Sequence, residues 1–375
     1  MNQINIKKWD DLQLKTDLLR GIYSYGFEYP SDIQKRAIYP IINGRDVIAQ
    51  AQSGTGKTGT FSISSLQLVD ESVNSTQVLV LTTTRELAMQ THKVFTDIGT
   101  FMEGVTTKLL VGGTSVNDDI KYLSTTNPHI IIGTPGRVFD MIKRKKINLY
   151  TVKLFIMDEA DEMLSSGFRD QIKSIFEFFN ESIQNTIFSA TMPREVIQLT
   201  QNFMREPLHL TMKVTELSLD GIEQYFVAAQ DDMNKYELLK VIYNKVVQTT
   251  SIIFVNGIKR VNSLHEAMEK DGFLVYKMHS SLDKEQRAKV LSDFKGSSNS
   301  ILISSDLTAR GIDIQQISMV INFDIPRDVH TYLHRIGRSG RWGRKGMAIN
   351  MICERDVYTM KKIENHYKID IKEYQ

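Results

Sequence analysis

The feature that most constrains this 375-residue chain is a series of short, unbroken apolar runs separated by helix-length segments. In the first half these are Asp46–Gln50 (DVIAQ), Val78–Thr82 (VLVLT), Leu109–Val111, His129–Gly133 (HIIIG), Leu154–Met157 (LFIM) and Thr186–Ser189 (TIFS). In the second half they are Gln224–Ala228, Ser251–Val255 (SIIFV), Val275–Met278, Ser300–Ser304 (SILIS), Met319–Phe323 (MVINF) and Met347–Ile352. Runs of Val, Ile and Leu without polar alternation suit strands covered on both faces, as in parallel sheets flanked by helices. Strands spaced in this way imply repeated βαβ units. Leu210–Asp220 (LTMKVTELSLD) has no strong period and separates the two series. The expected fold class is therefore α/β, with two parallel-sheet domains at 27–209 and 221–375, a linker at 210–220 and an N-terminal flank at 1–26.

Charge sets the kind of partner the chain can hold. Lys plus Arg is 46 and Asp plus Glu is 44, a net charge of +2. A polybasic protein that grips nucleic acid through its global field is excluded, so any polyanion must be held by locally placed groups. The single cysteine, Cys353, excludes an internal disulfide and a cysteine-based zinc site. The N-terminal MNQINIKKWD lacks an apolar signal core, and no apolar run approaches the ~18 residues that span a bilayer. A soluble intracellular protein without a membrane partner is expected.

Three clusters carry chemistry. Ala51–Thr58 (AQSGTGKT) directly follows the strand DVIAQ and differs from the strict phosphate-loop pattern only by Ala51 at the first glycine. Gly54 and Gly56 let backbone N–H groups turn toward a phosphate, and the next helix offers its N-terminus to the same anion. Lys57 would reach the β- and γ-phosphates of ATP, with the Thr58 hydroxyl on Mg²⁺. Leu154–Asp161 (LFIMDEAD) is a buried strand ending in carboxylates. Asp158 suits a Mg²⁺ partner acting largely through water, and Glu159 can orient or deprotonate the attacking water. A solvated acidic helix start is the alternative reading. His334–Arg341 (HRIGRSGR) is too densely cationic for a core element, and arginine fingers on a nucleotide explain it better than a solvated loop. Such an arginine is worth ~10³–10⁵ in rate, or about 4–7 kcal/mol of barrier. Lys143–Lys146 (KRKK) follows the apolar stretch VFDMI and reads as a solvated helix C-terminus, with a nuclear localisation signal or RNA patch as the alternative.

These clusters, in this order, resemble the DEAD-box RNA helicases, with DEAD itself at Asp158–Asp161. Stretches such as RGIYSYGFEYPSDIQKRAI, MLSSGF, ARGIDIQQIS and GRKGMAINM are most similar to the translation initiation factor 4A group. The resemblance implies two RecA-like domains and RNA-stimulated ATP hydrolysis that opens short RNA duplexes. Translation initiation is the implied process, in the cytoplasm, with the nucleus as the alternative. An ATP-gated RNA clamp in mRNA processing or ribosome assembly would use the same motifs. A small-molecule phosphate-loop kinase would leave the second domain without a role.

The resemblance also implies residue roles. Phe27 lies over the adenine and Gln34 reads its edge, with Trp9 in place of an upstream Phe. Ser53, Gly54, Thr55, Gly56, Lys57 and Thr58 cradle the phosphates, and Asp313 touches the ribose. Ser189, Thr191, His334 and Arg335 couple the domains, and Arg338 and Arg341 are the fingers. Contacts to the sugar-phosphate backbone of single-stranded RNA fall on Thr84, Arg85, Gly112, Gly113, Thr134, Gly136 and Arg137. From the second domain come Asn256, Arg287, Ser305 and Asp306. Thr83 replaces a Pro of the family, Ser280 a Gly, and Gly257 a Thr. Protein scaffold or activator partners are expected to choose the RNA.

Overall fold

The computed structural model describes residues 6–51, 54–165, 167–212, 222–245, 250–297, 299–305, 317–339 and 346–374. They fall into two units divided after Met212. The first unit carries β1 (Val47–Gln50), β2 (Val78–Leu81), β3 (Thr107–Leu110), β4 (Ile130–Gly133), β5 (Leu154–Met157), β6 (Gln184–Ser189) and β7 (Leu208–Thr211). These form one seven-stranded sheet in the order β3-β4-β2-β5-β6-β1-β7, every pair parallel. The second carries β8 (Ile222–Ala228), β9 (Ser251–Phe254), β10 (Val275–Met278), β11 (Ile301–Ser304), β12 (Met319–Asn322), β13 (Gly346–Ile352) and β14 (Lys372–Glu373). Its sheet runs β10-β11-β9-β12-β13-β8-β14, again parallel throughout. Numbered from the start of each unit, both orders read 3-4-2-5-6-1-7.

The unbroken apolar runs have their physical cause in this arrangement. Along β2, β4 and β5, alternate residues enter two different cores. Val78, Val80, Ile130, Ile132, Leu154 and Ile156 pack into one, while Leu79, Leu81, Ile131, Phe155 and Met157 pack into the other. The second sheet divides likewise, with Ile253, Ile303 and Ile321 on one face and Ile252, Leu302 and Val320 on the other. Each such side chain contributes about 1.5–3 kcal/mol by leaving water.

Two boundaries differ from the sequence expectation. Leu210 and Thr211, expected in the linker, belong to β7, which pairs with β1. Residues 213–221 lie outside the described set. The N-terminal flank is integral to the first unit, because Trp9, Leu12, Leu18 and Ile22 are buried in its core. The basic run Lys143–Lys146 closes the helix Pro135–Lys143, where Lys143 lies 4.4 Å over the Phe139 ring and Arg144 pairs with Asp140 at 2.9 Å.

The C-terminal ends of β5, β6 and β1 are neighbours in the first sheet, so the segments following them emerge side by side. In open parallel sheets that edge is where ligands bind.

Candidate functional site

The phosphate loop leaves β1 at Ala51, whose N–H donates to the Ser189 carbonyl at the end of β6, 3.0 Å away. Gly54 and Gly56 have φ of +84° and +100°, which an L side chain adopts only at a cost. Gly56 has a second constraint: a Cβ there would stand 2.7 Å from Ser31 Oγ. Lys57 begins the helix Lys57–Leu68 and is buried. Ser53 lies outside the described residues.

The helix Asp32–Ile42 supports this loop from the side. Its capping box joins Ser31 and Gln34, with the Ser31 N–H donating to Gln34 Oε1 at 2.7 Å. Ser31 Oγ donates to the Thr55 carbonyl at 2.8 Å, and Gln34 Nε2 to the Gly56 carbonyl at 3.3 Å. A Cβ on Gly59 would meet Gln34 Nε2 at 2.7 Å and Phe27 Cε2 at 2.9 Å, so Phe27 and Gln34 both reach the start of the loop helix. Trp9 donates its indole N–H to the Phe27 carbonyl at 2.9 Å and stacks on the Phe27 ring at 6.1 Å. Ser31 is a site residue the sequence reading missed, although an N-cap Ser followed three residues later by Gln was a visible signal.

Asp158 leaves β5 with its N–H on the Leu81 carbonyl at 3.0 Å. Its carboxyl is buried, and that burial pushes its pKa up to about 7 against the favourable charge of Lys57. Glu159 has φ of +53° and donates its N–H to Asp158 Oδ1 at 3.0 Å. Ser189 and Thr191 reach Asp161 rather than Asp158. The Asp161 N–H donates to Ser189 Oγ at 3.2 Å, and Asp161 Oδ2 accepts from the Thr191 N–H at 2.9 Å and from Thr191 Oγ1 at 2.7 Å. Asp161 was not among the expected site residues; its four-residue signature was visible, but not which carboxylate turns inward.

Three further segments at the ends of β2, β3 and β4 are held together. Thr84 Oγ1 caps the helix Arg85–Ile98 by accepting from the Leu87 N–H at 3.2 Å. Arg85 Nη1 donates to the Gly112 carbonyl at 3.0 Å. Gly112, Gly113 and Gly136 are exposed, Gly113 with φ of +78°, and Thr134 is half-buried before Pro135. Arg137, expected at RNA, is 9% exposed. Its guanidinium is held by Asp119 and by the hydroxyl and carbonyl of Thr114, each at 2.8 Å. Thr83 is buried with its hydroxyl unpartnered.

In the second unit, Arg335 is 2% exposed rather than presented at a surface. It donates to Asn322 Oδ1 at 3.2 Å, to the Asp324 carbonyl at 2.6 Å and to Asn256 Oδ1 at 2.7 Å. The Asn256 amide is thus held inside the unit, donating also to the Ile325 carbonyl at 2.8 Å. Gly257 has φ of +135°, a backbone the family's Thr would resist. Arg287 Nε donates to the Leu282 carbonyl at 3.1 Å, and the Ser305 N–H to the Met278 carbonyl at 3.4 Å. Arg338, 6% exposed, donates from Nε to the His334 carbonyl at 3.3 Å. Asp306, Asp313 and Arg341 lie outside the described residues.

Comparison with known proteins decides the family. Residues 31–199 match the DEAD/DEAH box helicase family, and residues 234–343 match the helicase conserved C-terminal domain. The chain is 49% identical over 368 residues to an ATP-dependent RNA helicase eIF4A of Chaetomium globosum, covering 98% of this chain and 92% of that protein. This chain belongs to the DEAD-box RNA helicases. The corresponding eIF4A of Scheffersomyces stipitis is 48% identical with the same coverage. Saccharomyces cerevisiae Dbp5 bound to RNA and ADP BeF3 superposes with a TM-score of 0.90 at 35% identity, covering 98% of this chain and 95% of the solved Dbp5 chain. The two parallel sheets of this helicase are RecA-like domains, and it is an ATP-hydrolysing enzyme of eIF4A type. Among its described residues no helix is long and apolar enough to cross a membrane.

Proposed function

We propose that this helicase uses ATP to open short RNA duplexes during translation initiation, with the phosphate loop, Asp158–Asp161 and Ser189–Thr191 as its hydrolytic centre. The observation that carries the reading is the adjacency of β5, β6 and β1, which sets Lys57, Asp158, Glu159 and Thr191 at one sheet edge. Phe27 and Gln34 lie against the loop, placed to hold a purine beside the phosphates.

Each residue has a defined task. The N–H groups at the turn of Gly54–Gly56 and the helix N-terminus hold phosphate oxygens, with Lys57 neutralising charge at the γ-phosphate. Glu159, held on an αL backbone beside Asp158, orients water and takes its proton. Arg338 and Arg341 bring positive charge to the γ-phosphate. Asp158 and Thr58 fit Mg²⁺: both offer hard oxygen donors, and a buried carboxyl pushed toward neutrality gains from a nearby cation. The ion would neutralise charge developing on the transferred phosphoryl group. Asp161 keeps Thr191 and Ser189 in register with the DEAD segment.

RNA is proposed to lie along the helix starts at Thr84, Thr134 and the Gly112–Gly113 turn, with phosphates on backbone N–H groups. Arg287 and Ser305 serve the same strand from the second unit, while the Asn256 amide holds Arg335 within it. Contacts of this kind carry little sequence information, so protein partners select the target.

The test is steady-state ATP hydrolysis with and without single-stranded RNA, on the wild type and on Glu159→Gln. RNA stimulation in the wild type and a loss of about 10²–10⁴ in the variant are expected. Absence of RNA stimulation in the wild type would overturn the reading.

A further inference from the structure

Asp119 is a buried carboxylate that the hydrolytic centre does not use. It stands in the first turn of the helix Val116–Thr125, directly after the Gly112–Gly113 turn. Two cations from different elements converge on it: Arg137 from the helix after β4, and Lys108 from β3 with Nζ 3.0 Å from Asp119 Oδ1. The same Arg137 guanidinium grips the Thr114 carbonyl and hydroxyl, and that hydroxyl donates to the Val111 carbonyl at 2.9 Å. Arg85 holds the Gly112 carbonyl at 3.0 Å. One arginine thus holds Gly112 and the other holds Thr114 just after the turn, and Asp119 fixes the second.

We infer that Asp119 is a positioning residue for RNA, holding Arg137 on Thr114 so that the Gly112–Gly113 turn presents its backbone N–H groups in a fixed direction. A merely electrostatic view gives the opposite sign. A carboxylate near a bound polyanion repels it, so removing that charge should tighten RNA. Removing a positioning group should instead weaken RNA, because Thr114, next to the turn, then loses a guanidinium held in place. The expected shift falls on RNA affinity and not on turnover, since Asp119 and Arg137 are engaged with Lys108, Thr114 and each other.

The inference rests on the proposed RNA reading of this face, and the experiment separates the two. ATP hydrolysis by the full chain is titrated with single-stranded oligouridine. If the wild type shows no stimulation, the reading of the face fails. If it is stimulated, Asp119→Asn is expected to raise the half-saturating RNA roughly ten-fold, with kcat at saturating RNA within about two-fold. Asp119→Glu should restore most of the affinity. In an Arg137→Met background, Asp119→Asn should add nothing further, because the carboxylate acts through that guanidinium. Thr114→Val, which leaves the ion pair intact, carries the same expectation if Asp119→Asn melts early. Unchanged or tighter RNA half-saturation, or an effect confined to kcat, overturns the positioning role.

Discussion

Asp161 Oδ2 accepts both the N–H and the hydroxyl of Thr191, at 2.9 and 2.7 Å, and so ties the segment after β6 to the segment after β5. The other oxygen, Oδ1, accepts the Glu162 N–H at 3.0 Å, so an amide there must turn its own NH2 toward a donor on one side. Asp161→Asn is therefore expected to lower the stability of the first unit by about 1–3 kcal/mol. RNA-stimulated hydrolysis should fall with it. Thr191→Ser keeps both bonds and should stay close to wild type. Thermal melting and steady-state turnover on both variants check this.

Trp9 anchors Phe27 through a hydrogen bond from its indole to the Phe27 carbonyl. Trp9→Phe restores the family's residue but removes that donor and leaves space where the larger ring was. A stability loss of about 1–3 kcal/mol is expected. A raised KM for ATP should accompany it, with kcat little changed, because the loss falls on purine placement. A kcat defect at unchanged KM would contradict this assignment.

Gly56 combines a left-handed backbone with a close approach to Ser31 Oγ. Gly56→Ala should strain the turn by about 1–2 kcal/mol from the backbone alone and displace the Ser31 contact to the loop. ATP binding is expected to drop by at least ten-fold. Gly44→Ala is a useful comparison, since it shares a positive φ, +77°, but its Cβ would meet nothing within 4 Å. It should lose stability without losing nucleotide affinity, as read by a fluorescent ATP analogue.

The buried Asp158 carboxyl has a folded-state pKa near 7, above the ordinary value of 3.8. Between those values the folded state binds the proton that the unfolded chain releases. Its contribution to stability is present at low pH and is lost as pH rises toward 7. Asp158→Asn removes this dependence. At pH 8, without nucleotide, the variant is expected to melt at a higher temperature than the wild type while hydrolysing almost no ATP. Mg²⁺ with ATP should close the gap by stabilising the wild type.

Sequence legibility tracked how completely each segment is enclosed. Strands such as β2, β4 and β5 are buried along their whole length, so their Val, Ile and Leu runs stood out. The edge strands β7 and β14 were not legible, because β7 buries one residue of four and β14 none. The phosphate loop and the DEAD segment were legible because glycines and clustered carboxylates are poorly suited to a core. Arg137 and Arg335 were legible as important but not as buried. A basic residue in a loop looks the same in sequence whether it faces an external anion or an internal carboxylate and carbonyls. Which acid in DEAD faces Thr191 was likewise hidden, since it depends on the αL turn at Glu159.

The shared strand order makes the two units one blueprint used twice, with β8 standing where β1 stands. After β1 comes a glycine turn, with Gly54 and Gly56 at positive φ; after β8 come Gln230, Asp231 and Asp232. There the Asn234 N–H donates to Asp231 Oδ1 at 2.8 Å and the Gln230 N–H to Asn234 Oδ1 at 3.1 Å. That helix start is capped by its own side chains, and Asp232 is already paired with Arg260 at 2.8 Å and with Arg355 at 2.6 Å, so it lacks the bare N-terminal turn that a phosphate needs. From this contrast between the two helix starts one ATP per chain is the expected stoichiometry, to be counted by calorimetric titration.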